Sequence, residues 1–262
     1  MSFKTAITKF WNKIEDLILS NHACLCCRRE IPDGTEFSLC EECMKNLEKI
    51  KGNVCKICGE EILDDNELCD RCKLVKFSFS KNRSFAEYGD VSSKIVKRFK
   101  YNGKKYYAEY IAKLMSENKN YFEGVDIITY VPIGSKRKKE RGFNQAEGIA
   151  KALSVLTNIP CAELLKKVGS ERHQAGLSQK DRQKNLAGTI AINEENKNLI
   201  KGKTILVIDD VFTTGATLSE CAKVLKSDKS NKAKEICCYT FAKTMLNSTN
   251  NGQNQQNNRT KN

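Results

Sequence analysis

Thr204-Ile205-Leu206-Val207-Ile208-Asp209-Asp210-Val211-Phe212-Thr213-Thr214-Gly215-Ala216-Thr217 is the stretch on which the reading of the whole chain turns. Four consecutive apolar residues, Ile205 to Ile208, predict a strand buried on both faces, as in a parallel sheet covered by helices. Two carboxylates end that strand. Leu218, Cys221, Ala222, Val224 and Leu225 then fall at helical spacing. A strand, a polar loop and a helix in this order aim free backbone N–H groups and the positive end of the helix dipole at an anion on the carboxyl edge of the sheet. A phosphate suits that place. Gly215 lets the backbone approach it, and the hydroxyls of Thr213, Thr214 and Thr217 add side-chain donors. Asp209 and Asp210 would repel phosphate, so they are expected to accept hydrogen bonds from sugar hydroxyls or to hold a hydrated Mg²⁺.

Four hydrophobic residues, two acids and Thr-Thr-Gly-x-Thr together resemble the phosphoribosyl pyrophosphate (PRPP) motif of type I phosphoribosyltransferases. That resemblance implies that Asp209 and Asp210 contact the ribose hydroxyls and that Thr213, Thr214, Gly215, Ala216 and Thr217 hold the 5′-phosphate.

At 262 residues the chain accommodates one substantial core and a small module. Charge divides it in the same way. Residues 1–74 carry 11 Lys and Arg against 14 Asp and Glu, whereas residues 75–262 carry 34 against 18. The basic surplus of the second unit calls for an anionic partner, either a phosphorylated substrate or nucleic acid.

The first unit is defined by cysteine. Nine of the thirteen cysteines lie between Cys24 and Cys72, and eight form Cys-x-x-Cys pairs. Cys24/Cys27 and Cys40/Cys43 are twelve residues apart, Cys55/Cys58 and Cys69/Cys72 ten. Each quartet has the spacing of a four-thiolate zinc site on two knuckles, and a crossed pairing of first with third knuckle also satisfies it. Four thiolates leave no open position for water, so the zinc is structural, up to two ions, and supplies the folding energy of a short polar segment. Cys26 is a spare. The first twenty residues interrupt their apolar pattern with Lys4, Lys9, Lys13, Glu15 and Asp16, so no signal peptide is expected. No later stretch has the length of a membrane span. A reducing cytoplasmic setting is expected, with membrane association only through partners.

The units are read as an amphipathic helix over 1–20, a double zinc ribbon over 21–74, a larger α/β domain over 75–246 and an Asn/Gln-rich disordered tail over 247–262. Within the large domain, Val125 to Val131 predicts a second buried strand. A basic loop follows, with Lys136, Arg137, Lys138, Lys139 and Arg141, and then a helix from Ala146 to Leu156. Cations at a strand's carboxyl end suit a pyrophosphate, so Lys136, Arg137 and Arg141 are its candidate ligands, with a nucleic-acid contact as the competing role. The period-free segment 167–189 suits a hood over an active site.

Taken in order, the paired Cys-x-x-Cys module, Val131-Pro132-Ile133, Arg141-Gly142-Phe143-Asn144-Gln145-Ala146, Gln174-x-Gly176-Leu177-Ser178, Arg182-x-x-Asn185 and Asp209 to Thr217 resemble the ComF family. The resemblance implies a mostly parallel type I phosphoribosyltransferase-like α/β sheet flanked by helices, bound zinc, PRPP or another ribose phosphate as ligand, and a part in DNA uptake during natural competence. Single-stranded DNA and other competence proteins are the further partners it implies. Two functions follow. One is a phosphoribosyltransferase that displaces pyrophosphate from the anomeric carbon. The other is a non-catalytic, single-stranded DNA-binding factor that uses the loop for a nucleotide or DNA phosphate. Arg28 stands where the family often has glycine.

Overall fold

The computed structural model describes residues 23–32, 38–62, 66–101, 106–169, 188–228 and 230–245. The expected N-terminal helix, most of the hood segment, including Gln174 to Ser178, Arg182 and Asn185, and the tail lie outside them.

A four-stranded parallel sheet in the order β1-β6-β5-β2 carries the larger domain, with β1 Lys81–Glu87, β2 Ile127–Tyr130, β5 Thr204–Phe212 and β6 Glu235–Lys243. The central pair is in register from Thr204 opposite Glu235 to Phe212 opposite Lys243. Residues 204 to 208 are buried, as a strand covered on both faces requires. The expected end of this strand needs correction. Pairing with β6 carries β5 through both aspartates to Phe212, so Asp209 and Asp210 are strand residues. The ladder overrides the polarity of the two side chains because their backbone groups still find partners across the sheet.

Helices α3 (Asp90–Tyr101), α4 (Tyr106–Ser116), α6 (Gln145–Thr157) and α7 (Ala216–Ser227) bury one stripe each. In α3 the stripe is Val91, Ile95, Val96 and Phe99; in α6 it is Ala146, Ile149, Ala150 and Leu153; in α7 it is Leu218, Cys221, Ala222 and Leu225. The basic loop is also corrected. Ser135–Arg141 forms a helix, α5, ended by Gly142 in the left-handed region at φ 76°. A two-stranded antiparallel ribbon, β3 (Leu165–Lys167) with β4 (Ile190–Ile192), flanks the hood segment.

The ribbons repeat one plan. Ala23 bridges Glu30 and Val54 bridges Glu61, each closing a knuckle. In each knuckle an N–H returns to the first cysteine's carbonyl, from Arg28 to Cys24 and from Gly59 to Cys55, both at 3.0 Å. Each ribbon then starts a five-residue helix after its third cysteine: α1 Glu41–Lys45 carries Cys43, and α2 Asp70–Leu74 carries Cys72.

The second ribbon is docked on β1. Asn82 Nδ2 donates to the Cys58 carbonyl at 3.1 Å, and Arg83 Nη1 to those of Cys55 and Lys56 at 3.3 and 3.1 Å. Lys243, fully buried at the end of β6, pairs with Glu60 at 3.0 Å and lies 4.1 Å from the Phe212 ring centroid. Between the ribbons, residues 48–50 run antiparallel to the outer edge of β1, with Ile50 N–H on the Phe85 carbonyl and Glu87 N–H on that of Glu48.

Candidate functional site: a cationic cleft with an acidic floor

The carboxyl ends of β5 and β2 open into a cleft of about 440 Å³. β5 supplies Asp209 and Asp210, and α7 supplies Thr217. The chain leaving β2 supplies Val131, Pro132 and Ile133, and α5 supplies Lys136, Arg137, Glu140 and Arg141. Lys100 from α3 and Lys167 from β3 complete a set of five cations around three carboxylates.

The cleft wall is held by its own polar residues. Asn144 caps α6 by accepting from Ala146 N–H at 3.1 Å, while its Nδ2 donates to the Val131 carbonyl at 3.0 Å. One side chain thus fastens the start of α6 to the end of β2. Arg141 donates to Gln145 Oε1 at 3.3 Å, bracing the last residue of α5 against the same turn.

The two acids differ. Asp210 is already paired, its carboxylate 2.7 Å from the Lys100 ammonium. Asp209 accepts the Asp210 N–H at 2.9 Å. Burial at the cleft floor, reinforced by the adjacent Asp210 charge, raises the Asp209 carboxyl to about 7 from its ordinary 3.8. That pair attracts a cation, as Lys100 demonstrates.

Of the expected phosphate loop, Thr217 lines the cleft. Thr213 is exposed, Thr214 half-buried, and Gly215 and Ala216 buried. Gly215 begins α7 at φ 71°, and a Cβ there would lie 2.7 Å from Phe212 Cζ, so the position admits only glycine. Lys136, Arg137 and Arg141 share the cleft with the two aspartates. Lys100 and Lys167 line the cleft from outside the expected ligand set, Lys100 belonging to a basic helix face that could equally meet phosphate or solvent. Lys100 stands out in sequence only as the last cation of Lys94-x-x-Lys97-Arg98-x-Lys100, a pattern that a solvated helix face also gives.

The cysteines assemble as two separate tetrads, Cys24/Cys27/Cys40/Cys43 and Cys55/Cys58/Cys69/Cys72, the sulfurs of each within 4.8 Å of one another. This removes the crossed pairing. A zinc tetrahedron with 2.3 Å bonds needs sulfurs about 3.8 Å apart. Cys27 and Cys40 are 3.7 Å apart and Cys58 and Cys69 3.6 Å, so both tetrads fit structural zinc. Cys26 is buried but stands outside the first tetrad. Arg28 occupies the left-handed region at φ 69°, the conformation that its counterpart Gly59 adopts, also at φ 69°. Its guanidinium is held by the Tyr106 hydroxyl at 3.3 Å and lies 6.0 Å from the Tyr107 centroid. Among the described residues, no helix is long and apolar enough to cross a membrane.

Comparison with known proteins agrees with this two-part construction. The double zinc ribbon domain matches residues 14–73, and the phosphoribosyl transferase domain matches residues 139–254. Competence protein F of Haemophilus influenzae is 28% identical over 213 residues, covering 79% of this chain and 91% of that protein. Competence protein ComFC of Bacillus subtilis is 28% identical over 217 residues, 79% of this chain and 84% of its own. DNA utilization protein YhgH of Escherichia coli K12 is 23% identical over 209 residues, covering 77% and 89%. With two cysteine tetrads ahead of a parallel-sheet phosphoribosyltransferase-like domain, and similarity over most of its length to competence protein F and ComFC, the chain resembles the ComF-type competence proteins in both its parts.

Proposed function

We propose that the cleft binds Mg-PRPP or a related ribose phosphate, and that the protein uses this capacity in DNA uptake, as the names of its relatives suggest. One observation carries the reading: the acid pair of β5 and Thr217, in the first turn of α7, line a single cleft with Lys136, Arg137 and Arg141.

Asp209 and Asp210 take the ribose hydroxyls or the cation that accompanies the pyrophosphate. A bound Mg²⁺ supplies charge neutralisation for that group. Lys100 holds Asp210 meanwhile, so ligand entry exchanges one cation partner for another rather than exposing a bare carboxylate. Thr213 to Thr217 take the 5′-phosphate through backbone N–H groups at the start of α7 and through their hydroxyls. Lys136, Arg137 and Arg141 neutralise the pyrophosphate. If an acceptor is present, its nucleophile bonds to the anomeric carbon as the carbon–oxygen bond to pyrophosphate breaks, and the electron pair leaves with the pyrophosphate. Such a reaction asks the protein for positioning and charge stabilisation.

The experiment is calorimetric titration with PRPP with and without Mg²⁺, followed by isotopic exchange of pyrophosphate into PRPP. Binding that requires Mg²⁺, and exchange lost in Asp210→Asn, is the expected result; no binding at millimolar PRPP refutes the reading. The basic surplus of residues 75–262 favours a second role in gripping single-stranded DNA. Salt-sensitive DNA binding that survives Asp210→Asn, without exchange, selects it.

A further inference from the structure

The second ribbon touches the loop that follows β5, beside the cleft. Arg71 Nη2, on α2 next to the tetrad member Cys72, donates a hydrogen bond to the Thr214 carbonyl. The same guanidinium lies 5.2 Å from the Phe77 centroid. Phe77 stacks on Phe79 at 4.8 Å and meets Phe212 edge-on at 6.4 Å. A Cβ on Gly215 would come within 2.9 Å of Phe77 Cε1, so the backbone of the loop rests directly on that ring. The linker is fastened to α7 on the same side: Ser78 N–H donates to Ser219 Oγ at 3.0 Å, and Lys226 Nζ donates to the Ser78 carbonyl at 2.7 Å.

We propose that Arg71 is a positioning residue for the Thr213–Thr217 loop, so that metal in the second ribbon and a phosphate in the cleft favour one another. The loop-ordering part of this statement stands on the contacts above; the phosphate part rests on the ribose-phosphate reading. Two physical steps link the sites. First, α2 is five residues long and has no stability of its own, so the tetrad that includes Cys69 and Cys72 is what holds Arg71 in place. Second, the Thr214 carbonyl and the Gly215 N–H belong to one peptide unit. A cationic donor on the carbonyl polarises that unit and makes the N–H a stronger donor toward an anion. The coupling is reciprocal: whatever factor zinc contributes to phosphate affinity, phosphate contributes to zinc retention.

The test uses the full-length zinc-loaded chain. Metal content is measured by plasma mass spectrometry, hydrogen exchange by peptides spanning 204–218, and Mg-PRPP affinity by calorimetry. Arg71→Gln is expected to keep wild-type zinc, to speed exchange of the 213–217 amides about tenfold, and to weaken Mg-PRPP about tenfold or more, the usual scale for a lost charged hydrogen bond. Exchange in β2 stays unchanged, which separates loop release from general loosening. Arg71→Lys recovers part of both effects, and Lys73→Ala, on the same helix, changes neither. In the wild type, chelation speeds loop exchange as the second zinc leaves, and Mg-PRPP slows that loss.

Arg71→Gln with full zinc and an unaltered loop overturns the proposal. Should Arg71→Gln lose zinc or misfold, Arg71→Lys and the chelation series decide; a loop that stays protected in the stripped chain overturns it equally. If the wild type binds no Mg-PRPP, the ribose-phosphate reading falls while the exchange measurements still judge Arg71.

Discussion

Asp209→Asn should stabilise the ligand-free protein while removing its capacity to bind. The amide is isosteric, remains neutral, and keeps an oxygen to accept the Asp210 N–H that Asp209 now takes at 2.9 Å. In the wild type the folded chain holds a proton on Asp209 up to about 7, whereas the unfolded chain releases it near 3.8. Between those values the folded state binds more protons, so this group's contribution is favourable below pH 4 and is lost as pH rises through 7. At about 1.4 kcal/mol per tenfold change in proton affinity the full cost is at most about 4 kcal/mol. Solvent at the open side of the cleft screens it, leaving about 1–2 kcal/mol. Thermal unfolding of both zinc-loaded proteins from pH 5 to 8.5 reads the difference. Asp209→Asn should gain on the wild type through neutrality and melt about 3–6 °C higher at pH 8, with a flat difference above that. A difference that is constant from pH 5 to 8.5, or that shrinks as pH rises, refutes the reasoning. In a Lys100→Met background the rise should move to higher pH, because Lys100 lowers the Asp209 value.

Three further outcomes are expected. Arg28→Gly relieves a non-glycine residue at φ 69° but forfeits the Tyr106 hydrogen bond, so stability measured by denaturant should change by less than about 1 kcal/mol, whereas Gly59→Ala, whose Cβ would sit 2.9 Å from the Asn82 carbonyl, should cost more than about 2 kcal/mol. Lys243→Met removes the buried counter-ion of Glu60 and should cost about 3–5 kcal/mol by urea unfolding, and the Lys243→Met/Glu60→Gln double variant should recover much of that loss. Elemental analysis should find two zinc ions per chain, one for each tetrad, and Cys58→Ser should reduce this to one while the first ribbon keeps its ion.

The sheet and the acid-tipped strand were legible because burial on both faces demands an unbroken apolar run, and Ile205 to Ile208 provides one. The zinc tetrads were legible from spacing alone, although only the fold decides which knuckles meet. The continuation of β5 to Phe212 was not legible, since Asp209 and Asp210 look like strand terminators unless the partner at Thr240 and Ala242 is known. The helix over Ser135–Arg141 was masked by its charge: seven residues without an apolar member carry no period to detect. Arg71 was beyond sequence reasoning for another reason. It lies 143 positions from the carbonyl it holds, and within its own segment it is one more cation beside a cysteine.

Residues 48–50 against β1 and residues 160–162 against β2 leave the sheet with a guard strip on each flank. Unpaired strand edges invite foreign chains to add themselves by backbone hydrogen bonding. Here those flanks are partly spent on the protein's own segments. Along those stretches a foreign strand finds the backbone groups already taken.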